Sequence, residues 1–379
     1  MKIAFYAPLK PPDHPVPSGD REIARSLMQA LRRGGHDVVL ASRFRSFDAQ
    51  GDARRQARLQ TIGRRLAERV AARFADGAPP DAWFTYHVYH KAPDHLGAFV
   101  SAALSIPYVV AEASIAPGER DGPWAAGYAD AHAAIRAADV VLCLNPKDAA
   151  QVRRARAPGA RLEMLAPFID VERFVGEGDV ARVPRPARAP VRLVTVAMMR
   201  DGAKLASYRV LAQALGSLAG ASWTLDVIGD GPARAAVVAA FAPLADRVRF
   251  LGQQRAAALP ALFAMHDVFV WPAIDEAIGV VFLEAQACGL PVVGGDSPGV
   301  AAVVANGRSG LLAPIGDAAA FASTLQRLLH DDGLRSRLAA YASAYVRDRH
   351  DVHAAACDLD RLLRTLTRRP QRAAAAPAC

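Results

Sequence analysis

Lysine is scarce in this chain. Among 46 basic residues the lysines are Lys2, Lys10, Lys91, Lys147 and Lys204, and after Lys147 only Lys204 remains. Where arginine is the rule, a retained lysine calls for a chemical reason. Cysteine is equally sparse. Cys143, Cys288, Cys357 and Cys379 are scattered with no C-x-x-C pair, which argues against a disulfide framework or a zinc site and for a reducing, cytoplasmic setting. No run of eighteen uncharged apolar residues occurs, so no membrane span is expected. The opening Met1-Lys2-Ile3-Ala4-Phe5-Tyr6 reads as a strand and not as a signal peptide. Basic stretches with interleaved aromatics are also missing, and without a recognised module nucleic-acid binding is not expected.

What is present points to two domains. The chain has 379 residues, 52% of them hydrophobic, more than one ordinary core accommodates. The net charge of +9 suits anionic partners such as nucleoside diphosphates or an anionic lipid surface. An arginine-rich and alanine-rich composition accounts for the same balance with no partner at all. Short apolar strands alternate with helical patterns in both halves. Strands are expected at Ile3–Ala7, Val38–Ala41, Trp83–Tyr86, Tyr108–Ala111 and Val140–Leu144, with helices over Arg21–Arg33 and Ala53–Phe74. The second helix carries Arg54, Arg55, Arg58, Arg64, Arg65 and Arg69 beside an apolar stripe of Leu59, Ile62, Leu66 and Val70. Its basic face is either solvated or rests on anionic lipid.

Around residue 165 the texture turns to Gly, Pro and Arg, and alternation restarts beyond it. Strands at Val191–Val196, Leu225–Ile228, Val248–Leu251, Val268–Trp271 and Pro291–Val293 are separated by helices at Tyr208–Leu218, Ala233–Phe241, Pro260–Met265 and Val280–Cys288. The expected division is residues 1–175, a linker at 176–190, a second domain at 191–345, a C-terminal helix at 346–367 returning to the first domain, and a disordered tail at 368–379. Such alternation predicts an α/β fold of parallel sheets with helices on both faces.

The sharpest motif is Asp275-Glu276-Ala277-Ile278-Gly279-Val280-Val281-Phe282-Leu283-Glu284. It places one acid in a loop and a second inside a helical run. Loop amides between them, at a helix N-terminus, suit a diphosphate. The two carboxylates suit hydroxyls of a sugar and a ribose. Arg200 and Lys204 follow the strand Val191–Val196, at the end where open α/β sheets bind ligands. Gly229-Asp230-Gly231-Pro232 follows the next strand. A dinucleotide fingerprint would need a third glycine where Arg234 stands, so a dehydrogenase is not expected.

These features resemble the retaining GT-B glycosyltransferases of family 4, whose signature is E-x7-E. The resemblance spans about residues 1–350 and also draws on Gly252, on Ser297-Pro298-Gly299-Val300 and on Gly310-Leu311-Leu312. It implies two Rossmann-like domains facing a central cleft. It implies transfer of a sugar from a UDP- or GDP-sugar to a glycan, lipid or small-molecule acceptor, with no cofactor and no metal. Its site residues would be Glu276 on the donor sugar, Arg200 and Lys204 on the leaving diphosphate, and Glu284 on the ribose. Gly279 and Val280 would lie near the phosphates, with Gly229, Gly231 and Gly252 around the nucleotide. In the first half Gly19, within Pro17-Ser18-Gly19-Asp20-Arg21, resembles the glycine loop that faces the diphosphate. Ser18, Asp20, His87 and His90 would border the acceptor. After Tyr108–Ala111 many members place a histidine near the donor sugar. Here Glu112 follows, a departure that makes it a candidate contact to the sugar or the acceptor instead. The resemblance also admits a peripheral place at the inner membrane face. A GT-B epimerase, and a non-catalytic nucleotide-sugar-binding regulator, are the competing readings.

Overall fold

The structure is a computed structural model of the chain and describes residues 1–16, 18–174 and 189–366. The chain divides into two compact units, residues 1–165 with 352–379 and residues 166–351. The division therefore falls at Leu165 and Asp351. Most of the expected linker at 176–190, the expected tail at 368–379 and Pro17 of the first glycine loop lie outside the described residues.

The first unit holds strands β1 (Lys2–Tyr6), β2 (Asp37–Ser42), β3 (Ala82–Val88), β4 (Tyr108–Ala113), β5 (Val140–Cys143) and β6 (Arg161–Met164). Its helices are α1 (Gly19–Arg33), α2 (Ala53–Ala75), α3 (Gly97–Leu104), α4 (Ala125–Ala137) and α5 (Pro146–Ala155). All strands are parallel, in the order β2-β1-β3-β4-β5-β6. The chain thus leaves β1 for one side of the sheet and returns at β3 on the other, which makes the gap between β1 and β3 the topological switch point. The α2 helix has the expected span but buries a shifted stripe, which keeps Val70 and leaves Leu59 and Leu66 half-buried. Gln56, Gly63, Ala67, Val70, Ala71 and Phe74 face inward, while Ile62 is exposed. Small residues win because α2 packs closely on its neighbours: a Cβ at Gly63 would lie 2.4 Å from Cβ of His95.

The second unit repeats the plan. Its strands are β7 (Val191–Val196), β8 (Trp223–Ile228), β9 (Val248–Gly252), β10 (Val268–Trp271), β11 (Val292–Gly295) and β12 (Gly310–Ala313). Its helices are α6 (Ala203–Ser217), α7 (Arg234–Phe241), α8 (Leu259–Ala264), α9 (Val280–Ala287), α10 (Pro298–Ala301), α11 (Ala318–His330) and α12 (Asp332–Arg349). The order is β12-β11-β10-β7-β8-β9, again parallel, so the switch point lies between β7 and β10. Trp223, Trp271, Tyr208, Phe241, Phe263 and Phe269 fill this core. The final helix α13 (Val352–Arg364) packs on α1 and so belongs to the first unit.

No helix among the described residues is long and apolar enough to cross a membrane. Cys143, Cys288 and Cys357 are free thiols.

Candidate functional site

In the second unit the expected acid and cation meet. Lys204 Nζ lies 2.5 Å from Glu276 Oε2, and it sits 5.5 Å from the centroid of the Trp271 ring. The two residues follow β7 and β10, so the pair marks the switch point of the sheet. Lys204 precedes the helix expected from Tyr208, yet it is helical. The α6 helix starts at Ala203, and Lys204 stands in its first turn. The helix is entered through Gly202 at φ 75° without a side-chain cap, which removes the signal that would have placed its start.

The Glu276 loop is held from two sides. Ser207 of α6 accepts a hydrogen bond from Ile274 N at 3.0 Å and donates to Ala203 O at 2.8 Å. Ala273 and Asp275 adopt φ near +53° and +54°, a conformation non-glycine residues hold only when their surroundings impose it. Beneath the loop, a Cβ on Gly299 would come 2.3 Å from Ala277 O and 2.4 Å from Glu276 O. The Ser297-Pro298-Gly299 turn therefore supports the acid-bearing loop, a physical reason for a motif the sequence shows only as resemblance.

The Gly229-Asp230-Gly231 turn has a similar explanation. A Cβ would lie 1.9 Å from Ala197 O at Gly229 and 2.3 Å from Met199 O at Gly231. The close approach these glycines permit is to the 197–199 loop, which leads to Arg200. Met199 N donates to Asp230 O at 2.9 Å, and Gly229 N donates to Gly252 O at 2.9 Å. Arg200 is exposed, and no side-chain partner of it is found among the described residues. Gly279 caps α9 at φ 69°, Val280 is the first residue of that helix, and Glu284 is the fifth. Burial, and then the charge of Glu284, push the Cys288 thiol up to about 12.

In the first unit Asp20 and His87 come together at the β1/β3 switch point, Oδ1 to Nδ1 at 3.1 Å. Burial favours the neutral imidazole, but the bond to Asp20 and the charges of Glu112, Asp20 and Asp148 outweigh it and raise the His87 pKa. Burial also works against the Asp20 carboxylate. The bond and charge of His87 prevail and hold its carboxyl below the ordinary value. His87 and Glu112 both lie within strands, at φ 63° and 57°. The sequence places both just after strand ends. Each strand runs further, and each of the two residues breaks its extended geometry near the C-terminal edge.

Glu112 is 9% exposed. Burial raises its carboxyl above the ordinary range, against the pull of the His87 charge. Asp148, in the first turn of α5, accepts from Ser114 Oγ at 2.9 Å. Ser18 caps α1 by accepting from Arg21 N at 3.3 Å. Gly19 starts that helix with open space where a Cβ would stand. His90 lies apart from this cluster, its ring edge-on to Trp124 with centroids 5.7 Å apart. Among the described residues no group of three His, Cys, Asp or Glu side chains is arranged to hold a metal ion. Sequence reasoning missed Ser207, Trp271, Ser114 and Asp148 as site neighbours. Ser114 had one signal, its position just past the end of β4, and Asp148 had one in its place within the first turn of the helix after β5.

Two six-stranded parallel sheets of this kind, each with its charged residues at the strands' C-terminal edge, define the GT-B class. Comparison with known proteins agrees. Residues 190–331 match the family described as "Glycosyl transferases group 1". A D-inositol 3-phosphate glycosyltransferase of Xylanimonas cellulosilytica is 30% identical over 79% of this chain and 76% of its own length. One of the same name from Salinispora arenicola is 33% identical over 61% of this chain and 55% of its own length. This chain spans about half the length of the Salinispora relatives it matches. Among solved structures, sucrose-phosphate synthase from Thermosynechococcus elongatus superposes with a TM-score of 0.72, at 21% identity over 96% of this chain and 98% of that one. Anabaena HepE in complex with UDP and glucose gives 0.71, at 19% identity over 97% and 100%. The chain belongs to the group 1 glycosyltransferases.

Proposed function

We propose that the protein is a glycosyltransferase whose second unit holds a nucleoside diphosphate sugar and whose first unit holds the acceptor. The observation that carries this reading is the Lys204–Glu276 pair at the switch point of the second sheet. Across this contact each neutralises the other. A donor entering there exchanges that contact for two better-matched ones: sugar hydroxyls donate to Glu276, and the diphosphate meets Lys204 and Arg200. The amides of Gly279 and Val280 face the phosphates at the positive end of α9, and Glu284 accepts from the ribose hydroxyls.

As the glycosidic bond lengthens, negative charge grows on the leaving diphosphate. An ammonium and a guanidinium held at that spot bind the transition state more tightly than the ground state, and that difference is what speeds the reaction. In this reading no metal is required. The anomeric configuration is retained, with the departing phosphate oxygen taking the acceptor's proton on the same face. The family resemblance supports this part of the proposal. The UDP named in the HepE complex makes UDP-sugars the first donors to try, with GDP-sugars next. Contact of the exposed arginines of α2 with anionic lipid belongs to the same proposal, and cosedimentation with phosphatidylglycerol vesicles that salt abolishes would support it.

The test is nucleoside diphosphate release from UDP- and GDP-sugars with and without an acceptor panel. A glycosyltransferase releases it in proportion to acceptor. An epimerase converts the donor with no acceptor present, and a non-catalytic binder converts none.

A further inference from the structure

The first unit contains a buried acid with an unmet need. Glu112 is nine-tenths buried at the end of β4. Its Oε2 makes no hydrogen bond of good geometry among the described residues, and neither does the hydroxyl of Tyr86, which is 1% exposed on the neighbouring β3. The two side chains are close enough to act on each other, but their alignment leaves the acceptor position of Glu112 open. A buried polar atom without a partner costs about 1–3 kcal/mol, so folds rarely keep one without a use. The other acids nearby are already engaged: Asp20 with His87 at 3.1 Å and Asp148 with Ser114 at 2.9 Å. Lys10 and Lys147 stand close enough to ease Asp20 and Asp148, but neither is among the charges that act on Glu112, which are His87, Asp20 and Asp148.

All these groups come from β3, β4 and the N-terminal turns of α1 and α5. They converge at the strands' C-terminal edge beside the β1/β3 switch point, the place where an open α/β sheet takes a ligand. A carboxylate with an unfilled acceptor position, flanked by two more carboxylates, calls for a ligand that brings hydrogen-bond donors. Hydroxyl groups do so. A phosphate dianion brings only acceptors and adds a like charge beside Glu112.

We propose that the edge of the first sheet where Asp20, Tyr86, His87, Glu112 and Asp148 converge holds an uncharged, hydroxyl-rich acceptor through hydrogen bonds donated to Glu112, and rejects acceptors that present a phosphate there. The proposal rests on the glycosyltransferase reading above. It separates this chain from those relatives named for a phosphorylated inositol.

The experiment titrates the full-length protein with matched pairs, myo-inositol against inositol 3-phosphate and glucose against glucose 6-phosphate, and reads the side-chain resonances of His87 by NMR. UDP and GDP titrations of the same samples serve as the control for the second unit. We expect at least one uncharged member to shift His87, its phosphate to bind about tenfold or more weakly, and Glu112→Gln to bring the two affinities close together, because an amide can donate to phosphate. Tighter binding of the phosphates to the unaltered protein would overturn the proposal. So would an unchanged ratio in Glu112→Gln, or no response to any pair. If nucleotide binding persists in those cases, the donor reading stands and only the acceptor inference fails. If nucleotide binding is itself absent, the donor reading fails on its own account. Unchanged nucleotide affinity in Glu112→Gln also shows that the second unit of the variant is folded.

Discussion

Replacing Lys204 with methionine removes one charge and keeps most of the side chain's length over Trp271. In the folded protein the ammonium is 2.5 Å from Glu276, with the two side chains 28% and 19% exposed. A charge-assisted hydrogen bond in such a half-buried place contributes roughly 1.5–3 kcal/mol before solvent screening. Screening reduces this, so a loss of about 1–2 kcal/mol is expected. At about 2–4 °C per kcal/mol for a unit of this size, the melting point should fall by only a few degrees, leaving folded protein at assay temperature. Turnover should suffer far more. Deleting one preorganised group that stabilises charge in the transition state typically costs 10²–10³ in kcat, about 2.7–4 kcal/mol. Steady-state release of nucleoside diphosphate measures kcat and KM together, and a titration with the free diphosphate isolates ground-state binding. The expected pattern is a large fall in kcat, a modest change in KM, and a smaller effect of the same substitution when Glu276 is already glutamine. Preserved kcat with only KM raised would refute the leaving-group role. Equal losses in melting temperature and activity, with no excess in kcat, would mark the pair as a structural contact.

Glu284→Ala should weaken free nucleoside diphosphate by about tenfold with little change in melting temperature, and unchanged affinity removes Glu284 from the ribose. Gly231→Ala should destabilise the second unit by several kcal/mol, because its Cβ would meet Met199 O at 2.3 Å with φ at +152°, a conformation L side chains rarely adopt. A melting temperature within a degree of the unaltered protein would contradict this. The Asp20–His87 pair sets a pH window. The Asp20 carboxyl is held below its ordinary 3.8, so its contribution is present above that value and is lost as pH falls through the lowered one. His87 is raised above its ordinary 6.5, so its contribution is complete below 6.5 and is lost as pH rises through the raised value. Asp20→Asn should therefore cost most stability between about pH 4 and 6.5, and a cost independent of pH argues against a charged pair.

Much of this was legible in the sequence. Val268–Trp271 is an apolar run between Asp267 and Pro272 and forms a strand with those limits, fully buried. Val191–Val196 also keeps its expected limits, with Arg192 only half-buried. Parallel strands buried on both faces leave that signature. The helix α6 begins five residues before its expected start because its N-cap is a glycine with no side chain to bond the first turn. The helix α4 was missed for a related reason. It has no side-chain cap, and its alanine-rich surface shows little periodicity. Glu276, Lys204 and Glu284 were candidates from spacing within their own segments and from the family resemblance. That Lys204 closes on Glu276 across 72 positions is a matter of sheet order, which spacing along the chain does not encode. Likewise, Gly229 and Gly231 read in the sequence as glycines that let a ligand approach the backbone, whereas the close approach the structure shows is to the chain's own carbonyls.

The central claim is that the second unit binds a nucleoside diphosphate between Lys204, Glu276 and the start of α9. Thermal melting in UDP, GDP, ADP, dTDP and CMP tests it most directly, because a ligand at 100 times its Kd adds about 2.7 kcal/mol of stability. At about 2–4 °C per kcal/mol, the account predicts a rise of roughly 5–10 °C with one nucleoside diphosphate, UDP or GDP, and a reduced rise in Glu284→Ala. No shift with any of the five would contradict it.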